Sequence, residues 1–241
     1  MTYCVGLLLN EGMVCLSDTR TNAGLDNIST YKKMFVFERP GERIITIMTA
    51  GSLSVTQTTI ARLDEAAVDS EATSETSILL APTILQVAEI IGRTLASTSH
   101  EVASRMSSSK TSASASMIVA GQREGGDMRM FLIYPQGNFI EATSDTPYLQ
   151  IGEHKYGKPI LDRVVTPETT LHDAKKAVLL SMDSTIRSNL SVGMPLDLAV
   201  IKKDQLTLCE QRRIEADDEI FAEMSRDWST ALRDAFQAIT I

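Results

Sequence analysis

The first fifty residues alternate short apolar runs with breaks that contain turn-forming residues. Short apolar runs bounded in this way predict β-strands rather than helices. The first two runs flank Asn10, Glu11 and Gly12, a break of hairpin length, and predict a β-hairpin at the start of the chain. The next two runs flank the turn signal at Pro40 and Gly41. The predicted strands are residues 3–9, 13–17, 33–37 and 43–49.

After residue 51 the apolar residues recur every three or four positions, which is the period of an α-helix. This spacing predicts helices at about 52–67 and 82–106. Residues 107–116 contain only Ser, Thr, Ala and Lys and are predicted to form a loop. A second set of apolar runs then predicts a second sheet. Its strands are residues 117–120, 128–134 and 138–142, with Gly-containing turns at 121–127 and 135–137.

The last third of the chain returns to helical spacing before two further apolar runs and a final amphipathic stretch. The order of elements is therefore sheet, two helices, sheet, two helices, strands and one helix. Helix pairs on the outer faces of two stacked antiparallel sheets would bury all these apolar faces. We expect an α+β fold, a four-layer α-β-β-α sandwich, in a single domain over 1–241. The remaining predictions are helices at 156–163, 170–188 and about 217–238, and strands at 196–202 and 205–212.

Composition excludes several classes of function. The net charge is −8 and the basic residues are scattered, so the basic patch of a nucleic-acid-binding protein is missing. No stretch is long and apolar enough to span a membrane, and the N-terminus does not have the pattern of a secretory leader. The three cysteines and three histidines do not cluster as zinc ligands or as a disulfide framework. We expect a cytoplasmic protein without a metal or an organic cofactor.

Thr2 is the first candidate for catalytic chemistry. It follows Met1 directly, and initiator methionine is normally removed before a small residue. Removal would leave a threonine with a hydroxyl nucleophile and a free α-amine, whose ordinary pKa of about 7.7–8.0 suits a general base. Many proteins begin with Met-Thr, so this feature gains weight only from the residues around it.

Two motifs follow Thr2 along the chain. Residues 17–24 read Ser-Asp-Thr-Arg-Thr-Asn-Ala-Gly, and residues 31–35 read Tyr-Lys-Lys-Met-Phe. Alone, Asp18 and Arg20 would form a strand-end ion pair and the lysines a solvated strand start. Together with Thr2 they resemble the start of proteasome β subunits, which have an N-terminal Thr, then Asp-x-Arg-x-Thr-x-Gly, then Lys-Lys before an apolar strand.

The resemblance implies roles for individual residues. Thr2 would be the nucleophile, Asp18 and a lysine its charged partners, and the N–H of Gly51 the oxyanion donor. A one-residue deletion between Gly24 and Lys32 leaves both Lys32 and Lys33 open, and we prefer Lys33 because it immediately precedes the apolar strand. The resemblance also implies a substrate-binding set, which comprises Arg20, Asn22, Thr49 and Ser191.

The chain also departs from that pattern. Residues 151–162 occupy the place of a Gly-Ser-Gly-Ser motif that this sequence does not have. Ser188 replaces a supporting aspartate, whereas Ser191 is kept. The opening Met-Thr-Tyr-Cys-Val-Gly, residues 27–30 and residues 152–162 resemble the bacterial ancestral β-subunit family, Anbu. That resemblance implies an N-terminal-nucleophile hydrolase fold and a homo-oligomer of many copies, a ring or open spiral such as a dodecamer.

Three functions remain open at this stage. The first is a threonine-type peptidase that hydrolyses peptides or unfolded proteins inside such an assembly, with any partner unfoldase unidentified. The second is an N-terminal-nucleophile amidase that acts on a small amide. The third is a non-catalytic assembly subunit in which Met1 is retained and blocks the α-amine.

Overall fold

The computed structural model describes residues 2–22, 28–105 and 113–240. The strands are β1 Tyr3–Leu9, β2 Gly12–Asp18, β3 Arg20–Asn22, β4 Ile28–Thr30, β5 Met34–Arg39, β6 Arg43–Gly51, β7 Ala115–Arg123, β8 Arg129–Ile133, β9 Phe139–Glu141, β10 Tyr148–Gly152, β11 Leu196–Lys202 and β12 Glu210–Ile214. The helices are α1 Leu53–Val68, α2 Ile84–Arg105, α3 Lys158–Val164, α4 Leu171–Ser188 and α5 Glu219–Ala238.

Two antiparallel five-stranded sheets form the centre of the fold. The first has the strand order β10-β1-β2-β11-β12, and the second has the order β5-β6-β7-β8-β9. In the first sheet β1 lies between β2 and β10, with Tyr3 opposite Gly152 and Cys4 opposite Ser17. The hairpin predicted at the start of the chain is confirmed. The short strands β3 and β4 form a separate two-stranded ribbon.

Helices cover both outer faces of the sheet pair. One apolar cluster lies between the second sheet and helices α1 and α2. A second cluster joins the first sheet to α3 and α4, and a third lies between the two sheets. Burial of apolar area on the two faces of each sheet is what stabilises this layered arrangement. The predicted four-layer α-β-β-α sandwich is confirmed.

The predicted membership of the sheets is wrong. The four early runs do not share a sheet, because β1 and β2 pair with β10 and β11 whereas β5 and β6 pair with β7. The prediction assumed that neighbours in sequence pair with each other, and the β2–β11 pairing joins residues about 180 positions apart. Both sheets are therefore assembled from separate parts of the chain.

Several local predictions are also corrected. Strands β3, β4 and β10 are absent from the prediction, since each is short and has little apolar periodicity. Strand β7 continues through Gly121, predicted to lie in a turn, and pairs there with Ile45 of β6. Glycine suits this position because a Cβ would lie 2.6 Å from the Ile44 carbonyl oxygen of the neighbouring strand. Strand β12 is Glu210–Ile214 rather than 205–212, because Asp204 and Leu206 have positive φ angles that lengthen the turn. The predicted loop at 107–116 lies largely outside the described residues, and its end belongs to β7.

Helix α5 is anchored through its first half only. Its N-cap residue Asp218 accepts a hydrogen bond from the Phe221 N–H, and Ser225 Oγ donates to Asp183 Oδ1 of α4 at 2.7 Å. Arg187 completes this network by donating to Ser225 Oγ at 2.6 Å. Residues 230–240 are all exposed. The distal half of α5 therefore carries its apolar side chains, among them Phe236, away from the rest of this chain.

Candidate active site

Thr2 immediately precedes β1 and is held by the turn that follows β10. Its carbonyl oxygen accepts a hydrogen bond from the Glu153 N–H at 2.8 Å. Gly152 has a φ of +81°, and a Cβ at this position would overlap the Thr2 carbonyl group. A glycine is required there because other residues rarely adopt such a φ and would also displace the chain terminus. Thr2 is 6% exposed.

Asp18 lies at the end of β2, and its carboxylate receives three donors. Lys33 Nζ donates to Oδ1 at 2.8 Å, and the Tyr3 N–H donates to the same oxygen at 3.1 Å. The Gly193 N–H lies 3.5 Å from Oδ2. Asp18 is fully buried. The carboxylate thus links β2 to the lysine before β5, to the residue after Thr2 and to the loop before β11.

Lys33, rather than Lys32, reaches this carboxylate. The Lys33 side chain is buried, and its Nζ also donates to the Arg20 carbonyl oxygen at 2.6 Å. Lys32 is exposed, and its Nζ lies 5.3 Å from the centre of the Phe35 ring. Of the two lysines left open by the sequence, the structure therefore brings Lys33 to Asp18.

Burial and charge act against each other at Asp18. Burial raises the pKa of its carboxyl above the ordinary value, because the charged form loses its hydration. The Lys33 ammonium opposes this effect, and so do the N–H groups of Tyr3 and Gly193. The ion pair with Lys33 is therefore the largest influence that favours the ionised carboxylate in this site.

Gly51 ends β6 and is exposed although the residues before it are buried. Its φ of +110° and the nearby Ser114 carbonyl oxygen leave no room for a side chain. Thr49, two residues earlier, is buried, and its hydroxyl donates to the Lys33 carbonyl oxygen at 3.4 Å. The Cys4 thiol lies 3.6 Å from the Thr49 carbonyl oxygen on the side between the sheets. Cys4 is part of the core.

Arg20 is directed at the loop before β11. Its Nη1 donates to the Leu190 carbonyl oxygen at 3.1 Å, and its guanidinium lies against Gly193. Ser191, in the same loop, donates from Oγ to Asn189 Oδ1 at 2.5 Å. Of the predicted substrate-binding set, Ser191 therefore lies in this loop and Arg20 contacts it.

The other residues singled out by the sequence are less informative. Met1 and the Asn22 side chain lie outside the described residues, so the predicted substrate contact of Asn22 stays a prediction. His154 is exposed, and its Nδ1 lies 3.1 Å from the Gly152 carbonyl oxygen. This geometry is that of a polar, solvent-exposed turn around His154.

Sequence reasoning missed three groups that hold the site together. These are the N–H groups of Tyr3, Glu153 and Gly193, which bond to Asp18 or to the Thr2 carbonyl. The type of a residue does not reveal whether its backbone N–H will donate to the site. Only Gly152 and Gly193 give a clue, since close approach of two backbone segments favours glycine.

Among the residues that the structure describes, no three His, Cys, Asp or Glu side chains are grouped so that they could hold a metal ion. Within the same ranges, no helix has both the length and the apolar character that crossing a bilayer requires.

Comparison with known proteins places this geometry in a family. The model of the proteasome subunit family matches residues 2–201, so the site lies within the matched region. A search of curated proteins found no match. The chain belongs to the proteasome subunit family, and the solved structures that it resembles include those of Anbu, the ancestral β subunit.

Three of these structures show the extent of the similarity. Anbu from Yersinia bercovieri is 41% identical with a TM-score of 0.91, and the alignment covers 99% of this chain and 98% of that one. An Anbu (Gly-1) mutant from Hyphomicrobium sp. strain MC1 is 44% identical with a TM-score of 0.93, over 100% and 99% of the chains. A helical assembly of the Anbu complex from Pseudomonas aeruginosa is 44% identical with a TM-score of 0.89, over 99% and 97%.

Proposed function

We propose that this protein is a threonine-type peptidase whose nucleophile is Thr2 after removal of Met1. The Thr2 hydroxyl attacks a peptide carbonyl, and the Thr2 α-amine accepts the hydroxyl proton. Lys33 is the cation beside the nucleophile, and Asp18 keeps Lys33 charged and oriented. The N–H of Gly51 donates to the oxyanion that forms in the transition state. No metal or organic cofactor is needed for these steps.

The reaction proceeds in two halves. Attack by Thr2 Oγ forms an ester to the acyl part of the substrate, and the α-amine returns its proton to the leaving amine. Water then attacks the ester, with the same amine as general base, and regenerates the threonine. Thr49 would border the pocket for the residue before the scissile bond. Arg20, Asn22 and Ser191 complete the proposed substrate-binding set.

The observation that supports this proposal is the buried ion pair of Lys33 and Asp18 beside the start of β1. Removing two charges from water costs several kcal/mol per ion, so a buried pair is weak evidence for a stabilising role. Buried carboxyl groups whose pKa is shifted, as that of Asp18 is, are concentrated at functional sites. Here Asp18 also bonds to the N–H of Tyr3, the residue directly after the proposed nucleophile.

The experiment that tests the proposal is the intact mass of the protein from its native host, before and after exposure to an inhibitor directed at N-terminal threonine. We expect loss of one methionine and the addition of one inhibitor, with no addition in Thr2→Ala. Retained methionine and no addition would contradict the peptidase and would favour the assembly subunit. Addition of the inhibitor at Thr2, together with cleavage of small amides but of no peptide by the uninhibited protein, would favour the amidase.

We also propose that the protein acts as a homo-oligomer in the cytoplasm, on peptides or unfolded proteins. A relative at 44% identity is described as a helical assembly. The exposed apolar side chains in the distal half of α5, such as Leu232 and Phe236, suit contacts between copies. The exposed free thiol of Cys209 suits a reducing compartment. The net charge of −8 gives no support for a nucleic-acid partner.

A further inference from the structure

The peptide unit between Thr2 and Tyr3 is bonded on both sides. Its carbonyl, from Thr2, accepts the Glu153 N–H at 2.8 Å, and its N–H, from Tyr3, donates to Asp18 Oδ1 at 3.1 Å. The first bond comes from the turn after β10 and the second from the end of β2. The plane of this peptide unit is therefore fixed between two elements that meet only in the folded chain.

The side chain of Tyr3 supplies a third anchor. Gln150 Nε2 of β10 lies 2.6 Å from the phenol oxygen, and so does Ser181 Oγ of α4. Since Gln150 donates to the phenol oxygen, the phenol proton remains for Ser181. Tyr3 is fully buried, and burial raises its pKa far above the ordinary value, so the phenol stays protonated and keeps this donor.

The turn after β10 is shaped around this phenol. A Cβ at Gly157 would lie 2.7 Å from the Tyr3 hydroxyl oxygen and would overlap Ser181 Oγ. The segment that begins at Gly152 therefore contacts the chain terminus twice, through the Glu153 N–H at Thr2 and through Gly157 at Tyr3. This segment occupies the place at which proteasome β subunits have a Gly-Ser-Gly-Ser motif.

We infer that Tyr3 is a positioning residue, whose phenol fixes the first residue of the mature chain relative to Asp18 and Lys33. The hydroxyl bonds to Ser181 and Gln150 tie the Tyr3 ring to α4 and β10, and the ring in turn holds the peptide unit that carries Thr2. The inference rests on the proposed function of Thr2 as nucleophile. Tyr3 itself does not touch a reacting atom.

Positioning of this kind has a measurable consequence. A displacement of about 1 Å at a reacting group can lower a rate by about a hundredfold, because the productive geometry is visited less often. Removal of the Tyr3 hydroxyl leaves Ser181 Oγ and Gln150 Nε2 without their buried partner and loosens the ring. Both bonds of the Thr2–Tyr3 peptide unit should then open more often.

The test compares wild type, Tyr3→Phe and the matched control Tyr148→Phe. Tyr148 also lies in the first sheet, but its hydroxyl bonds to Lys158 and Asp162 instead of the chain terminus. The first readout is hydrogen exchange at the amides of residue 3 and Glu153 by NMR, which needs no catalysis. The second readout is the rate of acylation of Thr2 by a peptide β-lactone, whose ring opens as the ester to Thr2 forms, followed by intact mass.

We expect Tyr3→Phe to speed exchange at both amides about tenfold. We also expect it to slow the maximal acylation rate about tenfold without weakening binding of the β-lactone. Tyr148→Phe should change neither quantity, even where it lowers thermal stability. Ser181→Ala should act in the same direction as Tyr3→Phe, and adding it to Tyr3→Phe should have little further effect.

Wild-type exchange at both amides in Tyr3→Phe would overturn the inference, whatever happens to acylation. Faster exchange together with an unchanged acylation rate would overturn it as well, because the anchor would then have no bearing on the nucleophile. A wild-type protein that is never acylated at Thr2 would contradict the proposed function instead. In that case the exchange rates alone would show whether Tyr3 fixes the chain terminus.

Discussion

The guanidinium of Arg20 occupies the space in which a side chain at residue 193 would lie. From there Arg20 donates to the Leu190 carbonyl oxygen, and the Gly193 N–H lies 3.5 Å from Asp18 Oδ2. One side chain therefore holds the loop before β11 in the position from which its backbone reaches the candidate site. A glycine at 193 is a condition for this contact.

Gly193→Ala should displace Arg20 and break its bond to the loop. We expect a loss of about 0.5–1 kcal/mol in the free energy of unfolding by urea, because the displaced atoms are the movable end of a partly exposed side chain. In an Arg20→Ala background the same substitution should cost much less, because the clash is gone. The coupling energy of the double-mutant cycle measures this difference, and purely additive effects would contradict the contact.

Lys33→Met should lower stability more than removal of both charges. The variant leaves the Asp18 carboxylate buried without its cation, which typically costs about 3–5 kcal/mol. Adding Asp18→Asn should restore most of that loss in urea unfolding, because the uncompensated charge is gone. Neither variant should react with a probe directed at Thr2. Equal stability of the single and double variants would show that the pair is not electrostatically coupled.

The pH dependence of Lys33→Met has a definite sign. Burial raises the pKa of Asp18, and the variant has lost the ammonium that opposes this effect. The folded variant therefore keeps a proton on Asp18 at pH values where the unfolded chain, with a pKa of about 3.9, has released it. The contribution of the Asp18 carboxyl to the stability of the variant should be greatest below about pH 4 and should fall as pH rises through the folded-state pKa. Lys33→Met combined with Asp18→Asn, unfolded by urea at the same pH values, should not show this fall.

The three thiols should react very unequally with iodoacetamide. Cys4 and Cys15 are buried, and burial raises the pKa of Cys15 to about 12, so its thiolate is scarce at about pH 8. Cys209 is exposed. Intact mass should show one addition to the native protein, none to Cys209→Ser and three after denaturation. Rapid labelling of native Cys209→Ser would mean that the region between the sheets opens.

Substitutions in the distal half of α5 should separate folding from assembly. Phe236 is 79% exposed and Leu232 is 50% exposed, so Leu232→Ser combined with Phe236→Ser should change the stability of the isolated chain by less than about 1 kcal/mol. We expect the same variant to have a smaller mass by light scattering, since its contacts between copies are lost. Val68→Ser, at another exposed apolar residue, is the matched control. An unchanged mass would exclude this half of α5 from assembly.

The sequence predicts the layers of the fold and the charged centre of the site better than the backbone groups that hold the site together. Thr2, Asp18 and Lys33 were recognisable because the residues around them resemble the start of proteasome β subunits. The Glu153 and Gly193 donors were not, because their contribution comes from the backbone and from parts of the chain about 150 to 175 residues away. Strand β10 was missed for a related reason. Its five residues become a strand only through pairing with β1.

The interleaving of the two sheets also sets the order in which the site can form during synthesis. Strands β1 and β2 pair with each other, but their outer neighbours β10 and β11 begin at residues 148 and 196. At about 5–20 residues per second, a ribosome takes on the order of ten seconds to make the intervening chain. Until then the Glu153 and Gly193 N–H groups do not exist. The candidate site around Thr2 is accordingly incomplete until the chain has been made as far as Gly193.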